Sequence, residues 1–165
     1  MSQGRVEEIY IFPNRGEEAQ SVQMVKALVG NGPEGDHRRH HNRQVSLLSR
    51  EVWLETTAEL GVELEPAVRR ANLLVSGMDL SATMWRRLRV GATAQVLIRG
   101  ETTPCAIMDQ AFPGLEAALE ADARGGVFGR IETGGPICVG DSIDLLDEDA
   151  VAKSGLATSH GLRIP

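Results

Sequence analysis

The chain has 165 residues, of which 42% are hydrophobic and 24% charged, and its formal net charge is −6. That length suits one domain with a substantial core, and the negative balance argues against general attraction to nucleic acid or to an anionic membrane. No apolar run is long enough to span a bilayer and the first residues, "MSQGRVEEIY", lack the pattern of a secretion signal. Two cysteines are too few for a disulfide framework, so the expected setting is a reducing cytoplasm with free thiols, a Cys105–Cys138 bridge being the alternative.

In chain order, "VEEIYIF" (6–12) is rich in β-formers and ends at the turn signal "PNRG". "SVQMVKALVG" (21–30) reads as a second strand, closed by a glycine-rich stretch. Ser49 is a candidate N-cap for a helix whose face carries Val52, Trp53, Thr56 and Leu60 and which Gly61 can terminate. "RRANLLVSG" (69–77) is short and apolar, as a buried strand would be. "TAQVLIRG" (93–100) alternates Ala94, Val96 and Ile98 against Thr93, Gln95 and Leu97, the pattern of a barrel stave. "PGLEAALEADA" (113–123) has helical spacing, and "GGVFGRIETGG" and "DSIDLL" add two further strands. From Asp147 the periodic apolar face disappears, so residues 5–147 are expected to form the domain and 148–165 a flexible tail. The sum is a mostly β protein, a closed or partly open β-barrel with two or three short helices, because closure removes exposed strand edges.

The most unusual composition lies in "GPEGDHRRHHNRQVS" (32–46), where His37, His40 and His41 are interleaved with Arg38, Arg39 and Arg43. A metal site made of the three histidines is disfavoured, because the guanidinium groups repel a cation. An anion site fits better: arginine forks match phosphate or carboxylate, and a glycine-rich turn adds backbone N–H donors. The bland alternative is a solvated loop, with Asp36 serving only as a turn residue. Arg69, Arg70, Arg86, Arg87 and Arg89 form further basic clusters, read as covering strand ends and helix faces with their stems.

Cys105 follows Pro104, which holds Thr103 extended and helps to fix the thiol at a strand end. It is either a reactive thiol or a small packing residue, and its immediate neighbours carry no positive charge. Activation would have to come from the basic loop. Cys138, between Ile137 and Val139, reads as core, and Asp141 as a turn residue. Asn72 sits in an apolar run and must find hydrogen bonds if buried, from a structural bridge or from a ligand. Arg124 serves either a helix C-terminus or a ligand oxyanion.

Six segments carry a resemblance: "GPEGDHR" (32–38), "QVSLLSREVW" (44–53), "RRANLLVSGMDL" (69–80), "TPCAIMD" (103–109), "RGGVFG" (124–129) and "GGPICVGDSI" (134–143). In this order they resemble MOSC domains, the type found at the C-terminus of molybdenum-cofactor sulfurases. The resemblance implies a β-barrel of the small stand-alone type that binds the pterin-based molybdenum cofactor. Cys105 would then be metal ligand or sulfur acceptor, in sulfur transfer or in cofactor-dependent reduction. Asp36, His37, Arg38, Arg43, Asn72, Asp79 and Arg124 would be the cofactor-binding residues. No pyridoxal phosphate site accompanies the domain, so a cysteine desulfurase or an electron-transfer protein is the partner the resemblance implies. At Ala71 the chain departs from the pattern, which commonly has arginine there. A metal-independent thiol enzyme for a small anionic substrate, with His37, His40 or His41 as base, and a non-catalytic anion-binding module are the competing readings.

Overall fold

The computed structural model of the chain describes residues 3–38 and 40–146, so the expected tail at 148–165 lies outside the described residues. Among the described residues are eleven strands: β1 (Gln3–Ile11), β2 (Gln20–Val22), β3 (Met24–Leu28), β4 (Gly32–Pro33), β5 (Val45–Ser49), β6 (Leu73–Ser76), β7 (Arg87–Val90), β8 (Ala94–Glu101), β9 (Val127–Thr133), β10 (Gly135–Cys138) and β11 (Ser142–Leu145). Three short helices join them, α1 (Arg50–Glu59), α2 (Ile107–Ala111) and α3 (Leu115–Ala118). The strand order β11-β7-β8-β9-β5-β6-β1 returns on itself through a β1–β11 pairing, which closes a seven-stranded barrel as the sequence implied. Closure is made by Gln3, Gly4 and Arg5 against Asp144, Ile143 and Ser142. The β5–β6 pair is parallel, and α1 lies in the connection between them, since parallel neighbours need a crossover.

Alternation along the strands separates two cores. The barrel interior holds Val6, Ile9, Leu47, Leu73, Val75, Leu88, Val96, Ile98, Val127 and Ile143, all inaccessible to solvent. On the outer side, Phe12, Leu48 and Leu74 pack with Trp53, Met108, Leu115 and Leu119 under the helices. β5 and β6 are therefore buried on both faces, and β6 lies in the apolar run read as a buried strand. Ser49 caps α1 by accepting the Val52 N–H at 3.2 Å, and Trp53 Nε1 donates to the Leu64 carbonyl at 2.8 Å.

Three elements differ in extent from the sequence reading. The strand expected over 21–30 divides at Gln23, so that β2 pairs with β1 while β3 pairs with β10. The apolar run 69–77 yields a strand only from Leu73, because Pro66–Arg69 form a 3-10 turn and Arg70 is left-handed at φ 67°. The helix expected over 113–123 is reduced to α3, with Gly114 (φ 95°) before it and Asp122 (φ 52°) and Ala123 (φ 56°) after it in left-handed conformations. The helical segment α2, just after Cys105, was not anticipated. No helix among the described residues is long and apolar enough to cross a membrane.

Candidate functional site

Four stretches distant in sequence meet around one cavity: the loop before β5, the turn before β6, the segment between β8 and α2, and the glycine pair before β9. The cavity, about 170 Å³, is lined by Arg38, Arg43, Arg69, Arg70, Thr102 and Cys105, with Ser46, Ala71, Met108 and Gly125 among the rest of its wall. A second chamber of about 250 Å³ shares Arg38, Arg43 and Ser46 with the first and extends the cleft to His40, Gln44 and Asn72.

Arg69 is the deepest of the cleft's arginines, with only 7% of its surface exposed. Its Nε donates to the Gly125 carbonyl at 3.0 Å and its Nη2 to the Thr102 carbonyl at 2.7 Å, while Nη1 approaches Met108 Sδ at 3.9 Å. The fit depends on glycine at 125, where a Cβ would stand 2.4 Å from the Thr102 oxygen and 2.9 Å from Arg69 Nη2. Backbone carbonyls orient a guanidinium without neutralising it. Among the described residues Arg43, Arg69 and Arg70 form no salt bridge to a carboxylate, while Asp36 pairs with Arg38. The cleft is thus strongly positive in a chain that is negative overall.

The electrostatics record this crowding. Burial, and then the neighbouring charge of Arg43, bring the Arg69 guanidinium down to about 10, still protonated at neutral pH. Arg43 and Arg70 are displaced downward too, by partial desolvation first and by the Arg38 guanidinium second. Cys105 lines the same cavity as Arg43 and Arg69.

Asp36 and Asn72 build the frame behind the arginines. Asp36, 2% exposed, accepts the Arg38 backbone N–H at 2.9 Å and both Nε and Nη2 of Arg38 at 3.2 Å. Asn72 Nδ2 donates to the same carboxylate at 2.6 Å and to the Tyr10 carbonyl at 3.2 Å, and Asn72 Oδ1 accepts the Ser46 N–H at 3.1 Å. Burial alone would raise the Asp36 carboxyl, but hydrogen bonds from the Arg38 side chain and backbone, the Arg38 charge and Asn72 hold it below the ordinary carboxylate range. Arg38 and Arg70 both stack on Phe12, their Cζ atoms 4.0 and 4.3 Å from the ring centroid. Stacking of this kind fixes both forks without consuming their outward donors.

Of the residues singled out in the sequence, the structure brings Cys105, Arg38 and Arg43 to the cavity and Asn72 to the adjoining chamber. Asp36 lies behind them. His37 is turned to the residue just past β1, where its backbone N–H and Nδ1 both meet the Phe12 carbonyl, and His40 borders the cleft. Asp79 caps the turn Leu80–Thr83 by accepting the Ser81 N–H at 3.0 Å. Arg124 forms a fork with Glu59 at 3.0 and 2.9 Å and donates to the Ala118 carbonyl. Asp79 and Arg124 line neither chamber.

Arg69, Arg70 and Thr102 carried no such expectation. The arginine pair was visible as charge in an otherwise apolar run, and Thr102 had no signal. Cys105 lies four residues beyond the end of β8, exposed, and it is a free thiol, as is the half-buried Cys138. No group of three or more His, Cys, Asp or Glu suited to a metal ion occurs among the described residues.

A closed seven-stranded barrel with a thiol at the edge of an arginine-lined cleft defines the class, a small β-barrel domain. Residues 34–144 match the MOSC domain model, and the chain belongs to the MOSC domain family. No curated protein matches it. Among solved structures it is similar to the YuaD protein of Bacillus subtilis, with 24% identity, TM-score 0.71 and coverage of 86% of this chain and 94% of that one. It is also similar to YiiM of Geobacillus stearothermophilus (13%, TM-score 0.69, coverage 87% and 75%) and to YiiM of Escherichia coli (18%, TM-score 0.67, coverage 90% and 71%). At these identities the likeness is one of fold.

Proposed function

We propose that the cleft binds the pterin-based molybdenum cofactor through its arginines and presents Cys105 to it, as metal ligand or as acceptor of sulfur. The observation that carries this reading is the buried Arg69 guanidinium, held by two carbonyls and, among the described residues, paired with no carboxylate, in the same cavity as a free thiol. Buried charge is retained where a counter-charge arrives. The Thr102 hydroxyl, buried and without a hydrogen-bond partner among the described residues, supports the same reading.

The donor set suits such a group. Arg43, Arg69 and Arg70 would hold its phosphate, Arg38 being oriented for the same task by Asp36, and Gln44 and Asn72 would border the heterocycle in the second chamber. When bound, the group supplies a soft, redox-active metal for which thiolate is a matched ligand. The chain's own part is to neutralise the anion, keep Arg38 and Arg70 stacked on Phe12, and hold Cys105 at the mouth of the cavity. His37, Asp79 and Arg124 support the loop, turn and helix ends around the barrel and would contribute only indirectly.

Co-expression with cofactor synthesis, followed by molybdenum and pterin analysis of the purified protein, tests the reading. Wild-type protein is expected to carry both in near-equal amounts, and Arg43→Gln to carry about tenfold less. Wild-type protein purified without either would end the proposal.

A further inference from the structure

We propose that Cys105 takes its sulfur directly from a small dianionic sulfane-sulfur donor of the thiosulfate class, whose sulfonate is held by Arg43, Arg69 and Thr102. This deepens the reading of Cys105 as a sulfur acceptor and rests on it. Three observations converge. The chamber that contains the thiol is small, about 170 Å³, and open to solvent on the Cys105 side. Arg69 has five N–H donors, three of which face Gly125, Thr102 and Met108, so two remain for a ligand. The hydroxyl of Thr102, a residue 6% exposed in the same wall, has no hydrogen-bond partner.

Together these groups offer charge and hydrogen bonds for an oxyanion next to a nucleophile. A compact dianion answers that demand better than a neutral oxidant or a bulky monoanion does. The step balances without a further reagent: the Cys105 thiolate attacks the outer sulfur, the S–S bond of thiosulfate breaks, a new S–S bond forms at Cys105, and the electron pair leaves with sulfite. Charge that develops on the departing sulfite stays against the guanidinium groups, where fixed donors are most effective. A thiophilic acceptor, cyanide in the assay, then removes the outer sulfur as thiocyanate and regenerates the thiolate.

The test uses purified full-length chain incubated with thiosulfate, read by intact mass and by thiocyanate release on addition of cyanide. One added sulfur is expected on Cys105 and none on Cys138, with saturable turnover that sulfate inhibits competitively. Arg43→Gln is expected to raise KM by about tenfold with a smaller effect on kcat, Thr102→Val to lower kcat/KM by a similar factor, and Cys138→Ser to change nothing. Arg43 is exposed, so its variant keeps the test valid should Thr102→Val fold poorly. Absence of sulfur on Cys105, or transfer indifferent to sulfate and to Arg43→Gln, overturns the inference. Cofactor content is measured separately. Protein that loads cofactor but takes no sulfur from thiosulfate refutes this inference alone, whereas protein that takes sulfur and never loads cofactor refutes cofactor binding alone.

Discussion

Asn72 Nδ2 donates to the Asp36 carboxylate at 2.6 Å and thereby ties the start of β6 to the loop before β5 across 36 positions of sequence. The carboxylate in turn holds Arg38, and Arg38 Nη1 donates to the Arg70 carbonyl at 2.9 Å. One buried acid thus sets two of the cleft's guanidinium groups.

Acid should loosen this frame before the rest of the barrel. The folded-state value of Asp36 is depressed below its unfolded value of 3.8. Its contribution is therefore complete above the unfolded value and is lost as pH falls through the lower, folded value. Urea melts between neutral pH and the low carboxylate range should show wild-type stability falling in that window. Asp36→Asn should be less stable at neutral pH by about 1–3 kcal/mol and flatter below pH ~4. Equal slopes for the two proteins would remove Asp36 from this role.

Anions should stabilise the protein, and through Arg69. Holding a desolvated guanidinium beside Arg43 is costly, and a bound oxyanion offsets that cost. Molybdate or sulfate at about 100 times its dissociation constant should add about 2.7 kcal/mol, a rise in melting temperature on the order of 5–10 °C. Arg69→Met should lose the shift and also about 2–4 kcal/mol of stability, because the Thr102 and Gly125 carbonyls lose their donors. Differential scanning calorimetry with and without anion reads both effects, and an anion shift that survives in Arg69→Met would contradict the assignment.

The glycine pair before β9 should tolerate nothing larger. Gly126 has φ 100°, and a Cβ there would lie 2.3 Å from the Leu47 carbonyl oxygen. Gly126→Ala should cost about 2–4 kcal/mol through strain and displacement of β5. Chemical denaturation measures this, and a loss below about 1 kcal/mol would mean that the strand gives way without consequence.

Much of the barrel was legible in the sequence because staves advertise themselves by alternation. Ala94, Val96 and Ile98 are inward-facing and buried, and β6 falls inside the apolar run 69–77, whereas β5, with Ser46 in its middle, carried no strand expectation. Ser49 announced α1 through its capping chemistry, and the requirement that Asn72 find partners if buried is met by Tyr10, Ser46 and Asp36. The site was legible only in part. Composition pointed to the loop that carries Arg38 and Arg43, and family likeness to Cys105. Arg69 gave no local sign of burial, because the carbonyls that hold it arrive from residues 33 and 56 positions later in the chain. Arg70 adopts a left-handed conformation that an arginine rarely takes, and no pattern rule assigns it. His37 looked like its neighbours in sequence, yet the Phe12 carbonyl claims both its backbone and its ring.

The seam between Gln3–Arg5 and Ser142–Asp144 has a consequence for biosynthesis. β1 leaves the ribosome well before β11 does, so its edge at Gln3–Arg5 stays open until residues 142–144 have been translated. Stalled or truncated chains that lack residues 142–144 would expose that edge to neighbouring strands and should be the forms that proteases and chaperones meet most often.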